Sequence, residues 1–227
     1  MKRATVLDEL ATAAVRRAQD LRSRTDLDSL YQEALLFQKR DFASALSTPG
    51  LSVISEIKRA SPSAGFIRDA DPAEWGARYE LEGAGCLSVL TEPERFEGSL
   101  EDLDAARNNT TMPVLRKDFT VDEAKILETG TRADAVLLIA ALFEAAALAR
   151  YVSLAVEVGL TPLSATRVAP ASLGARRSKV PRSTVKSLRS RLLTPITLAP
   201  DSRARFASSS SWISTSGVSP TSTARET

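Results

Sequence analysis

Along residues 5–163 the spacing of apolar side chains switches repeatedly between a helical and a strand period. Leu7, Leu10, Ala14, Ala18 and Leu21 recur at helical intervals, and Thr5 with Asp8 has the form of a capping box, so an amphipathic helix is predicted over 5–24. Leu27, Leu30, Ala34 and Leu35 stripe a second helix, and Pro49-Gly50 closes this region before the first strand. Residues 1–50 are therefore expected to form a helical extension ahead of a repeating core. Within the core, strands near 52–58, 85–90, 113–117 and 134–140 alternate with helices over 72–82, 99–107, 121–129 and 142–158. Asp71-Pro72-Ala73-Glu74 and Ser99 with Asp102 mark helix starts. Gly83, Gly130 and Gly159 fall where a left-handed residue ends a helix.

Strands separated by helices run parallel, because each crossover brings the chain back to the same end of the sheet. The fold class is thus α/β, either a β/α barrel or an open doubly wound sheet. A dinucleotide-binding sheet calls for Gly-x-Gly-x-x-Gly after its first strand. The turn here is Lys-Arg-Ala-Ser-Pro-Ser-Ala-Gly over 58–65. A (β/α)8 barrel is preferred, with four to five βα units recognisable over residues 51–163.

The periodic pattern stops near Leu163. Residues 1–163 hold 19 Lys and Arg against 26 Asp and Glu, whereas residues 164–227 hold 11 against 2. This Ser/Thr/Arg-rich segment keeps neither period, so an irregular basic tail is expected over 164–227. Its composition suits out-of-frame translation of the second half of a gene. The rival is a basic arm for nucleic acid, carried by Arg176-Arg177-Ser178-Lys179 and Arg189-Ser190-Arg191. Aromatic residues scarcely interleave with these cations, so nucleic acid is the disfavoured partner and is kept as an alternative.

The remaining composition narrows the chemistry. The longest apolar run, Ala135 to Phe143, is far below the roughly 20 residues of a spanning helix, so no membrane partner is expected. Acidic residues interrupt the N-terminus before any secretory core. The single cysteine, Cys86, suits a reducing, cytoplasmic setting. No histidine is present, which points away from a metal centre and leaves proton transfer to Lys, Glu or Asp.

In a β/α barrel the site lies at the carboxyl ends of the strands. Those ends hold Glu56-Ile57-Lys58, Thr91-Glu92 and Arg116-Lys117-Asp118. Side chains alternate along a strand, so Glu56 and Lys58 share a face. Lys117 tops the third strand, where it is placed to face Lys58 across a barrel mouth. Two ammonium groups need an anion between them, and one crowded by a second cation gives up its proton more readily. A carboxylate or phosphate substrate meets both demands. Phe96 and Phe119 are candidates to wall an aromatic ring, or else anchor the core or a loop. The plain alternative for the charges is a set of strand-end groups facing water.

Ser-Glu-Ile-Lys-Arg-Ala-Ser-Pro-Ser (55–63), Leu-Ser-Val-Leu-Thr-Glu (87–92) with Phe-Glu-Gly-Ser (96–99), Pro-Val-Leu-Arg-Lys-Asp-Phe (113–119) and Ala-Asp-Ala-Val-Leu-Leu-Ile-Ala (133–140) together resemble indole-3-glycerol phosphate synthase over roughly residues 5–163. The resemblance implies a TIM-barrel carboxy-lyase of tryptophan biosynthesis. Such an enzyme converts 1-(2-carboxyphenylamino)-1-deoxyribulose 5-phosphate to indole-3-glycerol phosphate, losing CO2 and water without a cofactor. It further implies Lys117 as general acid, Lys58 as the contact to the substrate's anions, and Glu56 as the acid orienting both lysines. Ser61 would lie in the substrate loop, and Phe96 and Phe119 beside the aromatic ring.

The family continues after Gly-Leu-Thr-Pro-Leu163 with a strand of the type Val-Glu-Val-His whose Glu is catalytic, where this chain has Ser-Ala-Thr-Arg. The later Asn-Asn-Arg-Asp, Glu-Ser-Gly and Gly-rich phosphate segments are likewise not found. Impaired activity is therefore expected, with self-association or aggregation through open sheet edges. Two other readings stay open: another phosphate-binding barrel, such as a pathway isomerase, and a non-enzymatic βα module with a basic arm.

Overall fold

Helix α1 spans Val6–Arg24 and begins at the expected capping box, in which the Thr5 hydroxyl accepts from the Asp8 amide and Asp8 accepts from the Thr5 amide. In the computed structural model, which describes residues 5–165, α1 is followed by α2 (Leu27–Leu36) and α3 (Phe42–Leu46). The five residues of α3 are too few to show a period, so no helix was expected there. Asp41 caps it by accepting from the Ser44 amide, and its first residue, Phe42, is completely buried.

The core then runs β1 (Ile54–Ile57), β2 (Ala60–Ser61), β3 (Gly65–Phe66), α4 (Pro72–Leu81), β4 (Cys86–Leu90), α5 (Pro93–Phe96) and α6 (Leu100–Asn108). It continues with β5 (Val114–Lys117), α7 (Glu123–Gly130), β6 (Ala135–Ile139), a 3-10 turn (Ala140–Leu142), α8 (Ala145–Glu157) and β7 (Thr161–Ala165). Five strands form one parallel sheet in the order β1-β4-β5-β6-β7, and β2 with β3 makes a separate antiparallel hairpin. Each strand of the large sheet is added beside the one before it. A doubly wound sheet would reverse order at a switch point, so the sequential order is that of a barrel wall.

Register decides the two faces. Parallel partners share a face, so Ile54, Glu56, Cys86, Ser88, Leu90, Leu115, Lys117, Ala135, Leu137 and Leu163 line one side. Ile57, Leu87, Val89 and Val114 lie on the other, in a cluster with Leu103 and Ala106 of α6. Val136 and Leu138 continue that face under α7 and α8, packing with Ile126, Leu127, Tyr151 and Ala155. Each fully buried large aliphatic contributes about 1.5–3 kcal/mol, so the helix-covered face dominates the stability of the wall. On the other face Phe42 packs with Cys86, Leu115 and Ala135, closing the end where the strands begin.

Two expectations need correction. Gly83 and Gly159 do end helices with positive φ, at 86° and 79°. Gly130 does not: it stays in α7, and a Cβ built on it would sit 2.8 Å from the Ala34 Cβ, so it is needed for the close approach of α2 and α7. The regular structure also runs past Leu163. Thr161-Pro-Leu-Ser-Ala pairs along β6 from Ala135 to Ile139 as a fifth parallel strand. Its proline and small polar residues hide a strand pattern, and the ladder begins with the Thr161 amide donating to the Asp134 carbonyl at 2.9 Å. The expectation of an irregular tail otherwise falls on residues 166–227, outside the described ones. Among the described residues no helix is long and apolar enough to cross a membrane.

Candidate active site

Strand alternation places Glu56 on the uncovered face of β1, and Lys58, just beyond the strand, turns back to it with Nζ 3.3 Å from Oε1. From the end of β5, two strands away, Lys117 donates to the other oxygen, Oε2. One carboxylate thus holds both ammonium groups at the carboxyl ends of the strands. The Glu56, Lys58 and Lys117 side chains are 15%, 25% and 33% exposed, shielded but open to a solute. Beneath them, in register with Glu56, the Ser88 hydroxyl is buried without a hydrogen-bond partner among the described residues.

The other strand-end charges behave differently from the expected ring around a mouth. Arg116 points to the helix-covered side and is 1% exposed. Its guanidinium donates to Thr91 Oγ1 at 3.1 Å, Glu128 Oε2 at 2.8 Å, Thr129 Oγ1 at 3.2 Å and Asp118 Oδ2 at 3.1 Å. Burial alone would raise the Asp118 carboxyl, but Arg116, Lys125 and Arg17 outweigh it and hold it below the ordinary aspartate value. Glu92, with no exposure at all, caps α5 and accepts from the amides of Glu94 at 3.0 Å, Arg95 at 2.7 Å and Phe96 at 3.2 Å. Glu92 and Asp118 are therefore internal anchors, not groups facing a substrate.

Phe96 ends α5 and Phe119 follows Asp118. Both are half-buried, with ring centroids 6.4 Å apart and planes tilted by 40°. Ser61 lies in the hairpin after β1, where its hydroxyl accepts from the Ala64 amide at 3.2 Å and sits 3.5 Å from Ser63 Oγ. Its hydrogen bonds are local, and the structure does not join it to the lysine cluster. The loop carrying it is pinned by Arg59, whose Nη2 donates to Asp102 Oδ1 at 2.9 Å and whose Nη1 donates to the Glu97 carbonyl at 3.3 Å.

Arg17 was not among the expected site residues. Within the Arg16-Arg17 pair of α1 it looks like an ordinary polar position, yet its fork reaches Glu92 and Asp118. Only the path of α1 across the strand ends reveals it. Among the described residues no cluster of three or more His, Cys, Asp or Glu is arranged to hold a metal ion.

A family model described as indole-3-glycerol phosphate synthase matches residues 7–226. The Rhodococcus opacus (strain B4) protein named indole-3-glycerol phosphate synthase is 51% identical over 125 residues, covering 54% of this chain and 46% of the relative. Streptomyces coelicolor indole-3-glycerol phosphate synthase 1 is 43% identical over 162 residues, covering 70% and 60%. The Mycobacterium avium (strain 104) protein of the same family name is 44% identical over 169 residues, covering 72% and 61%. The chain thus spans about half to three-fifths of the length of these relatives.

Proposed function

Because this chain belongs to the indole-3-glycerol phosphate synthase family, a TIM-barrel family, we propose that its site acts on 1-(2-carboxyphenylamino)-1-deoxyribulose 5-phosphate. The observation that carries this reading is the single Glu56 carboxylate holding Lys58 and Lys117 at one rim. A doubly anionic substrate replaces part of that carboxylate's charge, with Lys58 gripping an anionic group. The aromatic carbon bearing the carboxylate attacks the ribulose carbonyl carbon while Lys117 delivers a proton to the carbonyl oxygen. Loss of CO2 returns the bonding pair to the ring, and loss of the new hydroxyl as water completes the indole. Phe96 and Phe119 flank the anthranilate ring, and Ser61 lies in the loop that borders the substrate. No cofactor enters these steps.

Turnover is slow in this reading. The uncovered face of β7 carries Leu163, opposite Leu137, and Thr161–Ala165 contains no acidic residue, so this strand offers no second carboxylate there to assist dehydration. The test is product formation by the full purified chain, followed by indole absorbance. The expectation is detectable binding with little turnover, all of it lost in Lys117→Met. Rates typical of the family overturn the slow-turnover reading, and absence of binding to the anionic aromatic substrate overturns the site.

The cellular setting fits a reducing cytoplasm, since Cys86 is free and buried, with its thiol pushed up to about 12 by burial. Self-association belongs to the same proposal. Leu51 and Val53, 74% and 44% exposed, lie beside β1, which with β7 ends the described sheet. Light scattering of the purified chain that shows only monomer removes this part.

A further inference from the structure

We propose that Arg17, on the helical extension outside the barrel wall, is a positioning residue that fixes Phe96 and Phe119 together by clamping the two carboxylates that hold their backbone amides. Its Nη1 lies 3.4 Å from Glu92 Oε1, and its Nη2 lies 3.3 Å from Asp118 Oδ1. The same Glu92 accepts from the Phe96 amide at 3.2 Å, and the same Asp118 oxygen accepts from the Phe119 amide at 2.8 Å. One guanidinium therefore ties the loop after β4 to the loop after β5, and each tie ends at one of the paired rings.

Chemistry explains why the link has to be an arginine. Glu92 is fully buried, and Arg17 is the cation against it among the described residues. A buried carboxylate without a cation is costly, so α1 must deliver one there. Asp118 is already held from behind by Arg116, itself locked to Glu128 of α7. Arg17 extends that chain of charges from α7 across to α5. A planar fork with two donors can serve two acceptors on neighbouring loops, which a single ammonium group does less well. Lys117 immediately precedes Asp118, so the clamp also sets the end of the strand that carries it.

The role of the rings rests on the reading given under Proposed function, whereas the clamp itself does not. Amide hydrogen exchange on the full chain separates the two. In Arg17→Met, exchange at Phe96 and Phe119 is expected to quicken about tenfold, the order implied by losing a charge-assisted bond. The Val114 amide, donating to buried Asp134 at 2.7 Å, serves as the reporter of global opening and is expected not to change. Arg17→Lys keeps the charge and is expected to fold even where the Met variant does not, with a smaller gain at the same two amides. Unaltered exchange at Phe96 and Phe119 overturns the proposal, as does an equal rise at Val114, which marks a general brace.

The ligand arm compares the reduced, non-cyclising form of the substrate with ribose 5-phosphate, which lacks the ring. Arg17→Met is expected to weaken the first about tenfold and leave the second unaltered, and an equal loss for both overturns the link to the rings. If the two amides quicken while the unsubstituted chain binds no ring-bearing probe, the clamp stands and the proposed function falls.

Discussion

Replacing Glu56 by glutamine removes the carboxylate that Lys58 and Lys117 share while keeping its shape. Two ammonium groups bound to opposite oxygens of one carboxylate lie roughly 5 Å apart, and at an effective dielectric of about 20 they repel by about 3 kcal/mol. Their side chains are still 25% and 33% exposed, so screening reduces that to about 1–2 kcal/mol. An anion seated between them recovers this energy, whereas in the unsubstituted chain Glu56 competes with the anion for the same donors. Glu56→Gln is therefore expected to bind inorganic phosphate about tenfold more tightly while catalysing more slowly. Calorimetric titration with phosphate at constant ionic strength measures the first effect, and product formation measures the second. Adding Lys58→Met to the variant should abolish the gain. Phosphate affinity that is unchanged or weaker in Glu56→Gln refutes the shared-carboxylate argument.

Acid should unfold the chain through Asp118 and Glu128. For each, burial pushes the carboxyl up, but Arg116 and Lys125 hold it below the ordinary values of 3.8 and 4.5. A carboxyl depressed by folding stabilises the native state above its unfolded value, and that contribution is lost as pH falls through the lower folded value. The urea midpoint should therefore drop below about pH 4.5, with a shallower drop in Asp118→Asn; a flat profile from pH 5 to 3 contradicts this. Asp134 is fully buried and accepts from the amides of Val114 at 2.7 Å and Arg40 at 2.8 Å, and from Arg107 at 2.9 Å. Asp134→Ala strands these donors at a cost of about 3–5 kcal/mol, and denaturant unfolding should show it. Gly98→Ala places a Cβ 2.2 Å from the Leu90 carbonyl oxygen, so the loop after α5 must shift at a cost of about 1–3 kcal/mol, read from the same titration.

Local rules were enough for the alternation of elements. Capping boxes at Thr5 and Ser99, the Asp71-Pro72 start and the apolar periods located the long helices and four of the five parallel strands, because each signal is complete within a few residues. Alternation along β1 also put Glu56 and Lys58 on one face, where their ion pair forms. Helices of five residues or fewer, such as α3 and α5, are too short to complete a helical period, and β7 carries a proline with small polar residues.

Everything that depends on a second element was decided by the tertiary structure. The sequence set Glu56, Arg116, Lys117, Glu92 and Asp118 at strand ends alike, and only the register of the sheet sent Lys117 to Glu56 and Arg116 to Glu128. Gly130 looked like a helix terminator until α2 packed against it. Arg17 looked like a surface charge until α1 crossed the loops after β4 and β5. Hydrophobic period and capping act over one or two turns of chain, whereas the partner of a buried charge is chosen by the packing of segments as far as 101 residues apart, which no local pattern encodes.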